Sequence, residues 1–251
     1  MKRAMIVVLL LLSVFVIQGC KKKMEYKPQD FFSDKQFEIA QIIYDGNEQL
    51  LKKKLLSVDK NELNHPAKEG MTLLFWAMSN SFDDNATSER LQIITDLVKA
   101  GADPLQPQPN MPGSPAESAM QADRGIWIKA MLDGGLSPNA RDKINGQPIM
   151  FKSRYASNTE TLKVMLDYGA DIDIKNSLGQ TLVMSAFISS SFAHVELLLA
   201  RGANPNPVNV NNLSLLTVVK RQIKDSKEGT EYNNECKKIL SLMVKKGVKD
   251  I

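Results

Sequence analysis

One phrase recurs along this chain, and its period constrains the fold more than any other feature. "LVKAGADPL" at Leu97, "MLDGGLSPN" at Met131, "MLDYGADID" at Met165, "LLARGANPN" at Leu198 and "LMVKKGVKD" at Leu242 each carry an apolar run to a glycine. Those glycines stand at 101, 135, 169, 202 and 247, in steps of 34, 34, 33 and 45 residues. A second phrase opens each unit: "GMTLLFWAM" at Gly70, "GSPAESAM" at Gly113, "GQPIMFKS" at Gly146, "GQTLVMSAF" at Gly179 and "NLSLLTVVK" at Asn212. A glycine after a helical run supplies the left-handed residue that ends a helix at little steric cost. Thr72 and Thr181 sit just ahead of apolar runs, where a hydroxyl can cap free backbone N–H groups. Pro148 is expected in a first-turn slot, where its missing N–H does no harm. Leu162, Met165 and Leu166 recur at the three-and-four spacing of an amphipathic helix. One such helix pair cannot bury its stripe alone, whereas a stack of them can.

A period of 33 residues built from a turn and two short helices resembles the ankyrin repeat. The resemblance extends from about residue 33 to the end and implies an all-α solenoid of stacked helix pairs with hairpin turns. The histidine that the ankyrin motif places after its Thr-Pro-Leu is absent, with Phe75, Phe151, Met184 and Thr217 in that slot. Apolar packing is therefore expected to replace a network of turn hydrogen bonds. "QIIYDGNEQLLKKKLL" (Gln41 to Leu56) resembles a further pair with Gly46 and Asn47 at its turn, so residues 33–251 read as an N-terminal capping unit and five repeats. The extra residues Ser79 to Arg90 and Ile223 to Asn234 fall between the two helices of their units and predict protruding loops or helix extensions.

The N-terminus follows other rules. Lys2 and Arg3 precede an apolar run from Ala4 to Ile17, which is shorter than the about 20 residues a membrane span needs and suits the core of an export signal. "IQGC" resembles the bacterial lipobox through Ile17, Gly19 and Cys20, and departs from it at Gln18, where Ala or Ser is usual. The resemblance implies a signal over residues 1–19 and a mature chain that begins at an acylated, palmitate-bearing Cys20. Lysine after that cysteine resembles lipoproteins sent to the outer membrane, so the expected place is the periplasm, on that membrane. The other reading is a plain secretory signal with a leftover cysteine. Residues 20–32 read as a tether in which Pro28 breaks any helix, and a start at Met24 would give a minor cytosolic form with neither signal nor anchor.

Composition excludes more than it selects. The chain has 32 basic and 28 acidic residues, and removing Lys2 and Arg3 brings it close to neutrality, which argues against a nucleic-acid partner. Cys20 and Cys236 are the only cysteines. With Cys20 acylated no disulfide can form, and packing must hold the fold. The sequence lacks H-E-x-x-H, G-x-S-x-G, G-x-G-x-x-G and paired cysteines. It has two histidines: His65 is expected in solvent and His194 in helix packing. The acidic residues do not cluster with histidine at metal-ligand spacing. No catalytic residue, metal or cofactor is therefore expected, and the chain reads as a binder and not an enzyme.

Aligning the repeats puts Trp76, Ser79, Ser118, Gln121, Lys152, Tyr155, Ser185, Ile188, Val218 and Arg221 on the outward side of the first helices, where they should line a concave groove. Gln106, Arg141, Lys143, Lys175 and Asn209 fall at the hairpin tips along its rim. Trp, Tyr and Arg are enriched at binding hot spots. The competing reading of Trp76 is core, and Trp127, in a helix-packing slot, is core by the same logic. Bacterial ankyrin-repeat lipoproteins of this size include immunity proteins against type VI secreted phospholipases. The resemblance thus implies a protein partner, a secreted lipase effector, occluded by the groove. The alternative is an envelope scaffold or stress-protection protein with no toxin partner.

Overall fold

The structure, a computed structural model, describes residues 26–109 and 113–250. The signal, Cys20 and Met24 lie outside the described residues. The chain divides into two compact units, one comprising residues up to Ala116 with Ala130–Leu136, the other Glu117–Lys129 with everything from Ser137.

The first unit contains α1 (Pro28–Phe31), α2 (Asp34–Tyr44), α3 (Glu48–Leu55), α4 (Lys60–Asn64), α5 (Leu73–Ser79) and α6 (Ser88–Ala100). Helices α3, α4, α5 and α6 start where a side-chain oxygen accepts an otherwise free N–H. Asn47 accepts from Leu50 N at 3.0 Å, Thr72 from Phe75 N at 3.2 Å and Thr87 from Arg90 N at 3.4 Å. Helix α2 packs on α3 and α5, and α6 packs on α3 and α5. Their shared core holds Ile39, Ile43, Leu51, Leu73, Leu74, Ile93, Ile94 and Leu97, all essentially without solvent contact.

Two expectations about residues 28–32 are corrected in this unit. Pro28 does not break a helix but opens α1, its fixed φ suiting the first turn, and the residues after it are not tether: Phe31 and Phe32 are buried. The first insertion forms a single 3-10 turn, Asp83–Asn85, and lengthens α6 to 13 residues. That extension does local work, since the Arg90 guanidinium donates to the Ile43 and Tyr44 carbonyls at 3.2 and 2.8 Å and so closes the C-terminus of α2.

Helices α7 (Pro115–Gln121) and α8 (Ile126–Asp133) follow in the chain. The second unit then contains a 3-10 helix (Ile149–Tyr155), α9 (Glu160–Asp167), α10 (Leu182–Ile188), α11 (Phe192–Ala200), α12 (Leu215–Asp225) and α13 (Glu231–Lys245). The inner members neighbour one another, α10 touching both the 3-10 helix and α12, while α11 packs on α13. Leu162, Met165, Leu182, Met184, Phe187, Val195, Leu198, Leu215, Val219, Ile239 and Met243 are fully buried between them. Leu166 is only half-buried, because its position turns toward the edge of the stripe that Leu162 and Met165 centre. Phe75, Phe151 and Met184 are buried in the slot where the motif has histidine, but Thr217 is exposed.

Pro148 takes the N-cap and not the first turn. It lacks the oxygen that Ser214 uses to accept Thr217 N at 3.1 Å, and the helix it opens winds as 3-10 rather than α. Thr181 also caps nothing; its hydroxyl oxygen is buried without a hydrogen-bond partner. The second insertion is a helix extension, giving α12 11 residues and α13 15. Asn233 pins the connection, its amide donating to Ile223 O at 3.0 Å and Ser226 Oγ at 2.9 Å. All five repeat glycines have positive φ, from 82° at Gly169 to 110° at Gly135. At Gly101 this lets Ala102 N reach back to Leu97 O at 2.9 Å, the closing bond of the helix end.

Candidate protein-binding surface

The predicted groove residues fall into two slots three residues apart, and the structure separates them. Trp76, Ser118, Lys152, Ser185 and Val218 share the first slot; Ser79, Gln121, Tyr155, Ile188 and Arg221 share the second. In the first slot every side chain is buried or half-buried. In the second slot Gln121, Tyr155, Ile188 and Arg221 are exposed, and only Ser79 is half-buried, its hydroxyl donating to Phe75 O at 2.9 Å.

Trp76 is the clearest correction. It is 3% exposed, its indole N–H donates to Ala40 O at 3.0 Å, and Phe31, Phe32 and Tyr44 surround the ring at centroid distances of 5.8, 5.8 and 6.2 Å. Helix α1, read from the sequence as tether, contributes the cover. Ser185 is also buried, its hydroxyl 3.3 Å from Gln180 Oε1. Ser118 and Val218 are half-buried. Lys152 reaches Glu117 Oε1 at 3.1 Å, and the Glu117 carboxylate is only 6% exposed, so this cation is committed to an internal pair.

Tyr155, Ile188 and Arg221 stand 33 residues apart on three inner helices of the second unit, two of them at 59% and 53% exposure. Tyr155 is held in place: the Arg154 guanidinium lies 4.6 Å over its ring and donates to its hydroxyl at 2.7 Å. Arg221 makes an exposed pair with Asp225 at 3.4 Å. A pre-oriented aromatic beside an aliphatic and a cation is a hot-spot composition that loses little rotamer freedom on binding.

The rim residues divide likewise. Gln106 is half-buried and donates to Asn64 O at 2.7 Å, tying its hairpin to α4. Asn209 is spent on its own turn, its side-chain oxygen accepting from Asn211 N at 2.9 Å and Leu213 N at 3.0 Å. Arg141, Lys143 and Lys175 are exposed, with Arg141 donating to Gly146 O and Lys175 O at 2.9 and 3.0 Å. Sequence reasoning missed the side chains beside them: Ile144, Leu178, Val208, Val210 and Leu213 are all exposed at the hairpins. Their signal was an aliphatic residue inside a polar turn, next to or shortly before the turn's glycine or asparagine.

Trp127 is buried as expected, and so are Cys236 and His194. Burial pushes the Cys236 thiol up. It holds the His194 imidazole down, against the upward pull of its hydrogen bond to the Ser153 backbone. Among the described residues no group of His, Cys, Asp and Glu could hold a metal, and no helix is long and apolar enough to cross a membrane.

Residues 119–209 match the family profile described as ankyrin repeats (3 copies). The ankyrin repeat domain of Bcl-3 superposes with a TM-score of 0.62 over 86% of this chain and 89% of its own, at 20% identity. An ankyrin repeat domain from Acinetobacter baumannii does so with 0.57, over 85% of this chain and 100% of its own, also at 20% identity. The fold is an ankyrin-repeat fold. In sequence, an ankyrin repeat protein of Acanthamoeba polyphaga mimivirus is 31% identical over 99 residues, 38% of this chain. The chain spans 61% of that protein's length, and 15% of the bovine mitochondrial disaggregase, to which it is 26% identical over 106 residues, 40% of this chain. Ankyrin repeats suggest a protein-binding module in general terms, and no catalytic family is indicated.

Proposed function

We propose that this ankyrin protein is a periplasmic binding module, anchored to the outer membrane by acyl chains on Cys20, and that it is an immunity protein. Its partner would be a type VI secreted phospholipase effector, neutralised by occlusion of the lipase entrance or of its membrane-facing surface. The observation that carries the binding role is the exposed row Tyr155, Ile188 and Arg221, one residue per repeat, with Tyr155 fixed under Arg154. "IQGC" after a short apolar run supports the anchor. An effector that attacks membrane leaflets would meet a blocker already held at that surface, where tethering raises effective concentration.

The test is titration of the full chain with a phospholipase encoded beside its gene. Tyr155→Ala should weaken binding about thirtyfold, equivalent to about 2 kcal/mol, with an unchanged thermal melt. Palmitate labelling should mark the wild type and spare Cys20→Ala. Absence of lipase binding and of protection against the effector would refute the immunity role and favour an envelope scaffold. Normal binding by Tyr155→Ala and Arg221→Ala would move the site off the inner helices.

A further inference from the structure

Three hairpins of the second unit end in the same way, and the Tyr155 row does not use their ends. Antiparallel bridges Arg141↔Pro148, Lys175↔Thr181 and Val208↔Ser214 close them. At the turns stand Ile144, Leu178 and Val210, which are 63%, 54% and 66% exposed. The hairpins are joined edge to edge: Gln147 Nε2 donates to Ser177 Oγ at 2.8 Å, Arg141 to Lys175 O, and Val210 N to Leu178 O at 3.2 Å. Gly179 has φ +68° and a Cβ there would lie 2.9 Å from Val210 Cγ1, so the second and third turns are in close contact. The three aliphatic side chains therefore belong to one firm ridge.

The N–H groups of the apolar tip residues are already bonded. Asp142 Oδ1 accepts from Ile144 N at 3.0 Å, Asn176 Oδ1 from Leu178 N at 2.9 Å and Asn209 Oδ1 from Asn211 N at 2.9 Å, while Val210 N is bonded to Leu178 O. Turns whose N–H groups are internally bonded strand fewer polar groups on entering a lipid interface. Charge adds direction. Arg141, Lys143 and Lys175 are exposed around the tips, and the one carboxylate in these three turns, Asp142, is buried.

We infer that this ridge docks the protein on a lipid surface rich in anionic headgroups, with Ile144, Leu178 and Val210 entering the headgroup region and Arg141, Lys143 and Lys175 meeting the phosphates. Apolar side chains flanked by Lys and Arg are what interfacial binding uses. Protein hot spots instead favour Trp, Tyr and Arg and are poor in Leu and Val. The ridge is separate from the Tyr155 row and does not depend on acylation of Cys20. An anchor would only supply the proximity that the ridge turns into orientation.

The experiment places a reporter at the tips of the full chain. Leu178→Trp and, separately, Val210→Trp are mixed with phosphatidylcholine vesicles carrying brominated chains, with or without phosphatidylglycerol. Native Trp76 and Trp127 are buried and give a constant background. Lys163→Trp, exposed on α9, is the control for anchoring alone. Both tip reporters should be quenched at least threefold more than the control in anionic vesicles. That excess should disappear on adding Lys143→Gln with Lys175→Gln, or in 0.5 M salt, where screening lengths fall to a few Å. Equal quenching at Lys163, or none at either tip, overturns the inference. So does shielding of the tips by an acidic protein but not by lipid.

Discussion

Replacing Trp76 decides between a binding and a packing role for the largest side chain in the first unit. The sequence places it in a groove slot, where truncation should cost affinity and spare stability. The structure reverses both. A side chain 3% exposed, ringed by Phe31, Phe32 and Tyr44, makes Trp76→Ala a large-to-small core substitution, expected to cost about 3–5 kcal/mol. Of that, the indole bond to Ala40 O contributes about 1 kcal/mol, so Trp76→Phe should lose roughly that amount plus a smaller packing deficit. The loss should be local, because the ring holds α1 down. Urea unfolding followed by circular dichroism gives the total, and amide exchange locates it: 3 kcal/mol corresponds to about 150-fold faster exchange through the same opening, in Pro28 to Tyr44 first. Trp76→Ala within about 1 kcal/mol of wild type, with protection at Phe31 and Phe32 unchanged, would refute the packing account.

The His194 imidazole is held below its ordinary range by burial, so the folded state resists its protonation. Its contribution to stability is fully present above the unfolded pKa of about 6.5 and is lost as pH falls below it toward the depressed folded value. Denaturation midpoints should therefore drop between pH 7.5 and 5 by more in the wild type than in His194→Thr; equal slopes would sink the idea. Threonine is the informative replacement because Thr161, one repeat earlier, donates to Met120 O at 3.1 Å in the register His194 uses toward Ser153. Asn233→Ala strands the Ile223 carbonyl and Ser226 hydroxyl acceptors in the last repeat and should cost about 1–3 kcal/mol, read by thermal melts; a shift under 0.5 kcal/mol would show that water replaces the amide.

What the sequence made legible is what repeats. Five glycines, four of them 33 or 34 residues apart, marked helix ends, and all five adopt the left-handed region. The apolar stripes identified Leu162 and Met165 as core. What stayed hidden was set by neighbours that do not repeat. Trp76 occupies an ordinary slot, but the segment "PQDFF" folds over it, and Pro28 read as a breaker because its position relative to the helix start was unknown. Pro148 and Thr181 share a slot with the capping residues Thr72 and Ser214, yet neither caps: a proline has no side-chain acceptor, and the Thr181 hydroxyl bonds none of its helix N–H groups. Asn209 looked available at a hairpin tip because a turn asparagine and a binding asparagine are the same letter.

The two inner-helix slots give the binding surface its grammar. A residue in the slot of Lys152, Ser185 and Val218 is buried or half-buried, so its size and charge are answerable to the fold, as the Lys152–Glu117 pair shows. A residue three positions later touches solvent and is answerable only to what binds. In the second unit that slot reads Gln121, Tyr155, Ile188 and Arg221: polar, aromatic, aliphatic and cationic in succession. Four different chemistries at a fixed 33- to 34-residue interval cannot be required by helix packing, which treats the four helices alike. On the proposed binding role, partner choice would be carried by single side chains at that interval, and exchanging one of them should change what is bound without changing whether the stack folds.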